Sequence, residues 1–135
     1  MNSLRVLLLL ACALLWQGCG DRRQRAERQL RKGGAERLRH DAAVLYKNTF
    51  ARHGRPAFVE IWYKEWPPSF QKLAPRHVGA YLDGIIIALK TGDHSEEGLF
   101  VVPQSMDLEP KGAPGTTYRR LAEGVYWYSF SDERR

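Results

Sequence analysis

Apolar residues with a helical period predict an α-helix after residue 34. The apolar face repeats at spacings of four, three and four residues: Leu38, Ala42, Leu45 and Thr49. Gly33-Gly34 precedes this pattern, and Gly54 followed by Pro56 ends it. We expect the apolar face to pack on the rest of the domain. The basic residues of the helix are expected to lie toward solvent (Arg37, Arg39, Lys47 and Arg52).

Short apolar runs further along the chain predict β-strands. Residues 78–82 and 85–89 flank Asp83-Gly84, which favours a type I′ turn because both turn residues then adopt positive φ angles. This segment is therefore predicted to be a β-hairpin. A second strand pair is predicted from residues 99–102 and 125–130, joined by a connection, residues 103–118, that contains several Pro and Gly residues and is expected to be an irregular surface loop.

Two other segments have weaker patterns. Residues 57–66 fit both a helical period and a strand alternation, and we favour an extended segment. Residues 21–32 have a helix-forming composition, but their apolar stripe contains only Ala26 and Leu30. A frayed helix or a flexible linker is therefore expected there.

The N-terminus has the layout of an export signal. Arg5 precedes an apolar run over residues 6–15 that is too short to span a bilayer. The run ends in Trp16-Gln17-Gly18-Cys19, which resembles the lipobox of bacterial lipoproteins, although Trp16 stands where Leu is commonest. This resemblance implies cleavage before Cys19 and acylation, such as palmitate, of that cysteine. Because Gly20 rather than Asp follows, it also implies sorting to the outer membrane.

Cysteine usage agrees with this interpretation. The chain has two cysteines, and Cys12 lies in the run that would be removed, so Cys19 would have no disulfide partner. The alternative is an ordinary signal peptide and a secreted soluble product. The rest of the chain resembles small uncharacterised bacterial envelope proteins. The resemblance lies in Trp66-Pro67, Gly84-Ile85-Ile86 and residues 98–101 and 124–128, and it implies no named family and no activity.

Positive charge is concentrated near the predicted anchor. The chain has a net charge of +6, yet residues 19–55 contain eleven Lys and Arg against four acidic residues, whereas residues 56–135 contain nine against eleven. The basic segment Arg22 to Arg39 is thus either a membrane-adhesive stretch or a solvated spacer. A nucleic-acid partner is not expected, because the chain is exported and residues 20–45 contain no aromatic ring for base stacking.

These features predict an α+β fold in which one amphipathic helix packs on a small, mainly antiparallel β-sheet, preceded by a signal peptide and a basic linker. The predicted divisions are a signal peptide at residues 1–18, the anchor cysteine and basic linker at 19–34, and a single α+β domain at 35–135.

No catalytic or metal signature is present in the sequence. The four histidines share no short spacing with one another or with a cysteine (His40, His53, His77 and His94), and zinc, EF-hand, phosphate-loop and nucleophile-elbow motifs are missing. No metal and no cofactor are therefore expected. Residues 93–97 (Asp-His-Ser-Glu-Glu) form a polar cluster that we interpret as a solvated turn.

Aromatic residues offer the best candidate binding surface. Tyr126, Trp127 and Tyr128 are consecutive, which places neighbouring rings on opposite faces of a strand. Together with Tyr118, these three residues form the candidate binding set. The alternative is that such rings fill the core. We favour the core role over the binding role for Trp62 and consider the two roles equal for Trp127.

The sequence thus predicts an envelope lipoprotein, anchored through lipidated Cys19, whose body is a small binding module for a protein or glycan partner. Catalysis is not needed to explain it. One alternative is a small envelope hydrolase that uses His77 or His94 with a nearby acid. Another is an inhibitor or immunity-type protein that acts against an envelope-targeting toxin or lytic enzyme.

Replacing Cys19 tests the anchor. We expect wild-type protein from the membrane fraction to begin at Cys19 and to carry added acyl mass by intact mass spectrometry. Cys19→Ser should lose that mass and leave the membrane, since two or three acyl chains anchor a protein stably whereas one is marginal. An unmodified soluble wild-type chain that begins at another residue would instead indicate a secreted protein.

Overall fold

The computed structural model describes residues 22–106, 109–110 and 114–132. These ranges contain three α-helices, α1 (Arg22–Leu30), α2 (Gly34–His53) and α3 (Pro68–Gln71), and one 3-10 helix (Tyr63–Glu65). Their six strands are β1 (Phe58–Ile61), β2 (His77–Tyr81), β3 (Gly84–Thr91), β4 (Ser95–Val101), β5 (Thr116–Ala122) and β6 (Val125–Ser131). The strands form one antiparallel sheet in the order β1-β2-β3-β4-β6-β5. The predicted α+β class is confirmed, and the signal peptide and Cys19 lie outside the described residues.

Helix α2 confirms the predicted amphipathic face. Its buried residues are Leu38, Ala42, Leu45 and Thr49, and it ends before Gly54, whose φ of 71° only glycine adopts freely. Arg39 corrects the prediction that the basic residues all face solvent. Its guanidinium turns inward and donates hydrogen bonds to the carbonyl oxygens of Val102 (3.0 Å), Pro103 and Met106. Arg39 therefore fastens the segment after β4 to the helix layer.

Helix α1 replaces the frayed helix or flexible linker expected over residues 21–32. Ala26 is fully buried in the main core, and the Gln29 side-chain amide donates to the backbone carbonyl of Ser69 at 2.9 Å. The turn to α2 passes through Lys32 and Gly33, both with positive φ angles. A narrow apolar stripe is sufficient here because α1 contributes only Ala26 to the core, with Leu30 packed against it.

The predicted hairpin is present, but its turn is shifted by one residue. Tyr81 pairs with Gly84, so the turn residues are Leu82 and Asp83, and neither has a positive φ angle. Gly84 is instead the first residue of β3. A Cβ there would lie 2.6 Å from the Phe100 ring, so the glycine is required for close packing and not for a type I′ turn.

The second predicted strand pair is also confirmed, since β4 pairs with β6 through registers such as Leu99 with Trp127. Strand β5 begins at Thr116, so the irregular connection is shorter than predicted. The extended prediction for residues 57–66 holds for β1 only. Trp62 was expected in the core but is 58% exposed beside the 3-10 helix.

The sheet has two different faces. One face packs against the helices and forms the main core, to which the sheet contributes Val78, Ile85, Ile87, Leu89, Leu99, Val101, Val125 and Trp127. Because side chains alternate along a strand, the residues between these point to the opposite face. A second, smaller buried cluster lies there, made of Ile86, Phe100, Val102 and Tyr128. We call this side of the sheet, which also carries Met106, Tyr118 and Tyr126, the open face.

Candidate functional site

Two aromatic rings on the open face pack directly against glycine residues of the adjacent strand. The Phe100 ring occupies the space where a Cβ of Gly84 would be, and the Phe58 ring does the same at Gly79. The Phe100 ring also meets the Tyr118 ring edge to face, with centroids 5.5 Å apart. A glycine on one strand thus allows an aromatic ring of the adjacent strand to pack directly on the sheet. A hollow is left between the other side chains of the open face.

This hollow is a cavity of about 410 Å³, which we call the aromatic pocket. Five of its lining residues are aromatic: Tyr81, Phe100, Tyr118, Tyr128 and Phe130. The others are Asp83, Ile86, Glu96, Pro114 and Thr116. Strands β2 to β6 all contribute, so the pocket is built on the rigid sheet and closed at one rim by the residues just before β5.

Glu96 is the best-positioned polar group of the pocket. The hydroxyl of Tyr128 donates to Glu96 Oε1 at 2.6 Å, and Nε2 of His77 lies 2.5 Å from Oε2. The side chains of His77 and Glu96 are 28% and 23% exposed. Each carboxylate oxygen therefore has one partner, and these two contacts fix the position of the acid on the open face.

The position of Glu96 corrects the interpretation of residues 93–97 as a solvated turn. Ser95, Glu96 and Glu97 belong to β4, and only Gly92, Asp93 and His94 connect β3 to β4. Glu96 pairs with Phe130 of β6, which places its side chain among the aromatic rings. The strand alternation that runs back from Phe100 through Gly98 leads to Glu96, and this is the signal that could have found it.

The tyrosines of the pocket hold their protons more tightly than usual. Burial, then the hydrogen bond to Glu96 and the charge of that acid, raises the pKa of Tyr128 well above its ordinary value of 10.0. Burial also raises the pKa of Tyr81, followed by the charges of Glu96 and Asp83, and burial and Asp83 raise that of Tyr118. These hydroxyls remain neutral donors, and the acids impose a negative potential on the pocket.

The structure brings three of the four candidate binding residues together. Tyr118, Tyr126 and Tyr128 share the open face, with Tyr118 paired to Tyr128 across β5 and β6. Trp127 lies on the opposite face, is 8% exposed and packs in the main core, with the Arg23 guanidinium 5.9 Å from its ring centroid. Tyr81, Phe100 and Phe130 were not among the predicted binding residues. Tyr81 and Phe100 join these tyrosines through sheet topology, whereas Phe130 follows Tyr128 on the same face of β6.

The basic segment Arg22 to Arg39 divides into two groups. Arg22 donates to the Leu89 carbonyl, Arg39 binds the segment after β4, and Arg23 and Arg37 form ion pairs within their own helices. The remaining basic side chains are exposed: Arg25, Arg28, Arg31 and Lys32. Arg22 and Arg39 therefore hold the helices to the rest of the fold, whereas Arg37, whose side chain is 69% exposed, lies at the surface with these four residues.

Within the described ranges, no group of three or more His, Cys, Asp or Glu side chains is placed to hold a metal ion. The helices of the same ranges include none that is both long and apolar enough to cross a membrane. Comparison with protein-family models, with curated proteins and with solved structures gave no match.

Removing the Tyr128 hydroxyl should destabilise the open face. Tyr128→Phe leaves Glu96 Oε1 without its donor, and the loss of a hydrogen bond to a charged group costs about 1–3 kcal/mol. Urea unfolding at neutral pH measures this cost. Tyr126→Phe is the matched control, since the structure gives the Tyr126 hydroxyl no hydrogen bond to any described residue. Equal unfolding midpoints for the two variants would contradict the assigned role of Tyr128.

The same variant changes the response to alkali. Because the pKa of Tyr128 is higher in the folded than in the unfolded chain, its contribution to stability is complete below pH 10.0 and is lost progressively above it. Tyr128→Phe should therefore reduce the loss of stability above that pH. Tyr81 and Tyr118 have pKa shifts of the same sign, so part of the loss should persist.

Proposed function

We propose that this chain is a lipoprotein of the cell envelope whose folded part is a small binding module, with the open face of the sheet as the binding surface. The observation that carries the proposal is the aromatic pocket, which lies on the face that the helices leave uncovered. An inhibitor or immunity-type protein would use the same surface, with a toxin or lytic enzyme as its ligand.

The composition of the open face supports a binding role. In an antiparallel sheet with one face on the core, the other face normally carries polar residues in contact with water. Here that face carries tyrosine and phenylalanine, of which Phe58, Tyr81 and Phe130 are 41%, 39% and 38% exposed. Aromatic side chains are enriched at binding interfaces because they combine a large apolar area with few rotatable bonds.

The proposed membrane attachment combines the predicted lipid on Cys19 with nearby charge. The exposed basic side chains of α1 and the following turn come soon after that cysteine in the chain. Each Lys or Arg near an anionic membrane surface adds about 1 kcal/mol of attraction. A lipid and a short basic stretch together hold a small domain close to the membrane, and the predicted sorting signal directs it to the outer membrane.

Alanine variants of the open face test the binding proposal. Tyr118→Ala and Tyr126→Ala should each weaken capture of envelope partners from a detergent-solubilised membrane extract by about tenfold or more, because buried aromatic anchors dominate binding energy. Tyr63→Ala is the matched control, since Tyr63 is 57% exposed but lies on the 3-10 helix. Thermal melting checks that each variant is folded. If both variants retain every partner of the wild type, the open face is not the binding surface.

A small envelope hydrolase is the second candidate, and the contact between His77 and Glu96 favours it. A histidine held by a carboxylate is the usual arrangement of a general base. One observation makes this candidate weaker than binding: His77 does not line the aromatic pocket, so its imidazole is not placed against a ligand held there. His94, the other histidine considered, is exposed on the connection between β3 and β4.

Hydrolysis is tested with purified peptidoglycan as substrate. If the wild type releases soluble fragments, His77→Gln should abolish the release, because glutamine keeps a hydrogen bond to Glu96 but is not a base. His94→Gln is the control and should leave the rate unchanged. No release by the wild type would remove this candidate.

A further inference from the structure

We infer that the aromatic pocket binds a small organic cation of the alkylammonium class. This inference rests on the proposed binding function and names the ligand chemistry of the same surface. It follows from the charges that line the pocket, from its aromatic rings and from its size.

Among the described residues, the charged side chains that line the pocket have one sign. Asp83 and Glu96 are acidic, and the described residues that line the cavity include no Lys, Arg or His. This contrasts with the net charge of +6 for the whole chain. Acids grouped in a partly enclosed site of a basic protein attract a cation and repel an anion.

Both carboxylates can accept further hydrogen bonds. Each oxygen of Glu96 has one partner in the structure, whereas a carboxylate offers about four lone-pair sites. Asp83 is half-buried and, across the described ranges, forms no ion pair. The charge of Asp83 adds to the rise in the pKa of Tyr118 after burial, and to the rise in the pKa of Tyr81 after burial and the charge of Glu96.

The aromatic rings suit the same ligand. The face of a Tyr or Phe ring carries partial negative charge and attracts an ammonium group placed over it, more strongly when water is excluded. Five aromatic rings line the cavity. A neutral apolar ligand would use the rings but would leave Asp83 without an ion-pair partner among the described residues.

The size of the pocket limits the ligand. A volume of about 410 Å³ lies toward the lower end of the range for small-molecule sites, roughly 300–1,000 Å³. A choline-sized cation fits such a space.

The experiment is a calorimetric titration of the full chain in non-ionic detergent. Choline is compared with 3,3-dimethylbutan-1-ol, which has the same shape but no charge. We expect saturable binding of choline and about tenfold weaker binding of the neutral compound, the difference that a cation over aromatic rings provides. Asp83→Asn and Tyr118→Ala should weaken choline binding, whereas Tyr63→Ala should not. Glycerophosphocholine is titrated in parallel: tighter binding than choline indicates a lipid head group, and weaker binding indicates a free cation.

Equal binding of the neutral compound, binding of acetate in place of choline, or no choline binding would each overturn the inference. These outcomes are distinct from failure of the binding proposal. If choline does not bind but Tyr118→Ala still loses an envelope partner, the open face is a binding surface for another class of ligand. If choline binds but Tyr118→Ala and Tyr126→Ala retain every envelope partner, the pocket is a cation site and the open face does not capture partners.

Discussion

The two-residue alternation of the central strands is the constraint on which the rest of the structure depends. Along β6, Val125 and Trp127 enter the core beneath the helices, while Tyr126 and Tyr128 point to the open face. The same strand residues that secure the fold therefore also fix the orientation of the candidate site. A shift of one residue in the pairing of β4 with β6 would exchange the two sets, so register specifies both the core and the pocket.

Small residues in the middle of the sheet allow His77 to contact the carboxylate of Glu96. His77 pairs with Ala88, and Ala88 pairs with Gly98 on the strand that carries Glu96. Because neither Ala88 nor Gly98 has a large side chain, the imidazole can reach across β3 to the carboxylate. Gly98 has a second role, since a Cβ there would lie 2.0 Å from the Ile87 carbonyl oxygen, where the register of β3 and β4 shifts.

Local patterns predicted the parts of the fold that local forces determine. The apolar face of α2, its end at Gly54 and the pairing of β2 with β3 all follow from periodicity and turn-forming residues. The turn shifted by one residue because Gly84 had to accommodate the Phe100 ring, a contact between distant residues that no local pattern contains. Arg39 turned inward for a similar reason, as its carbonyl partners lie more than sixty positions away in the chain. Only part of the pocket could be predicted from the sequence. Its tyrosines on β5 and β6 are close in the chain, whereas Tyr81 and Glu96 are brought next to them by the order of the strands in the sheet.

Helix α1 and the aromatic pocket lie on opposite sides of the sheet. Helix α1 packs on the core side, through Ala26 and through Arg23 over Trp127, and carries exposed Arg25 and Arg28. The acidic aromatic pocket lies on the opposite side. If the proposed lipid on Cys19 holds the chain at a membrane, attraction of α1 to anionic lipid would turn the helix layer toward that membrane. The open face would then point away from the bilayer, where the proposed cation or envelope partner would reach it without displacing the anchor.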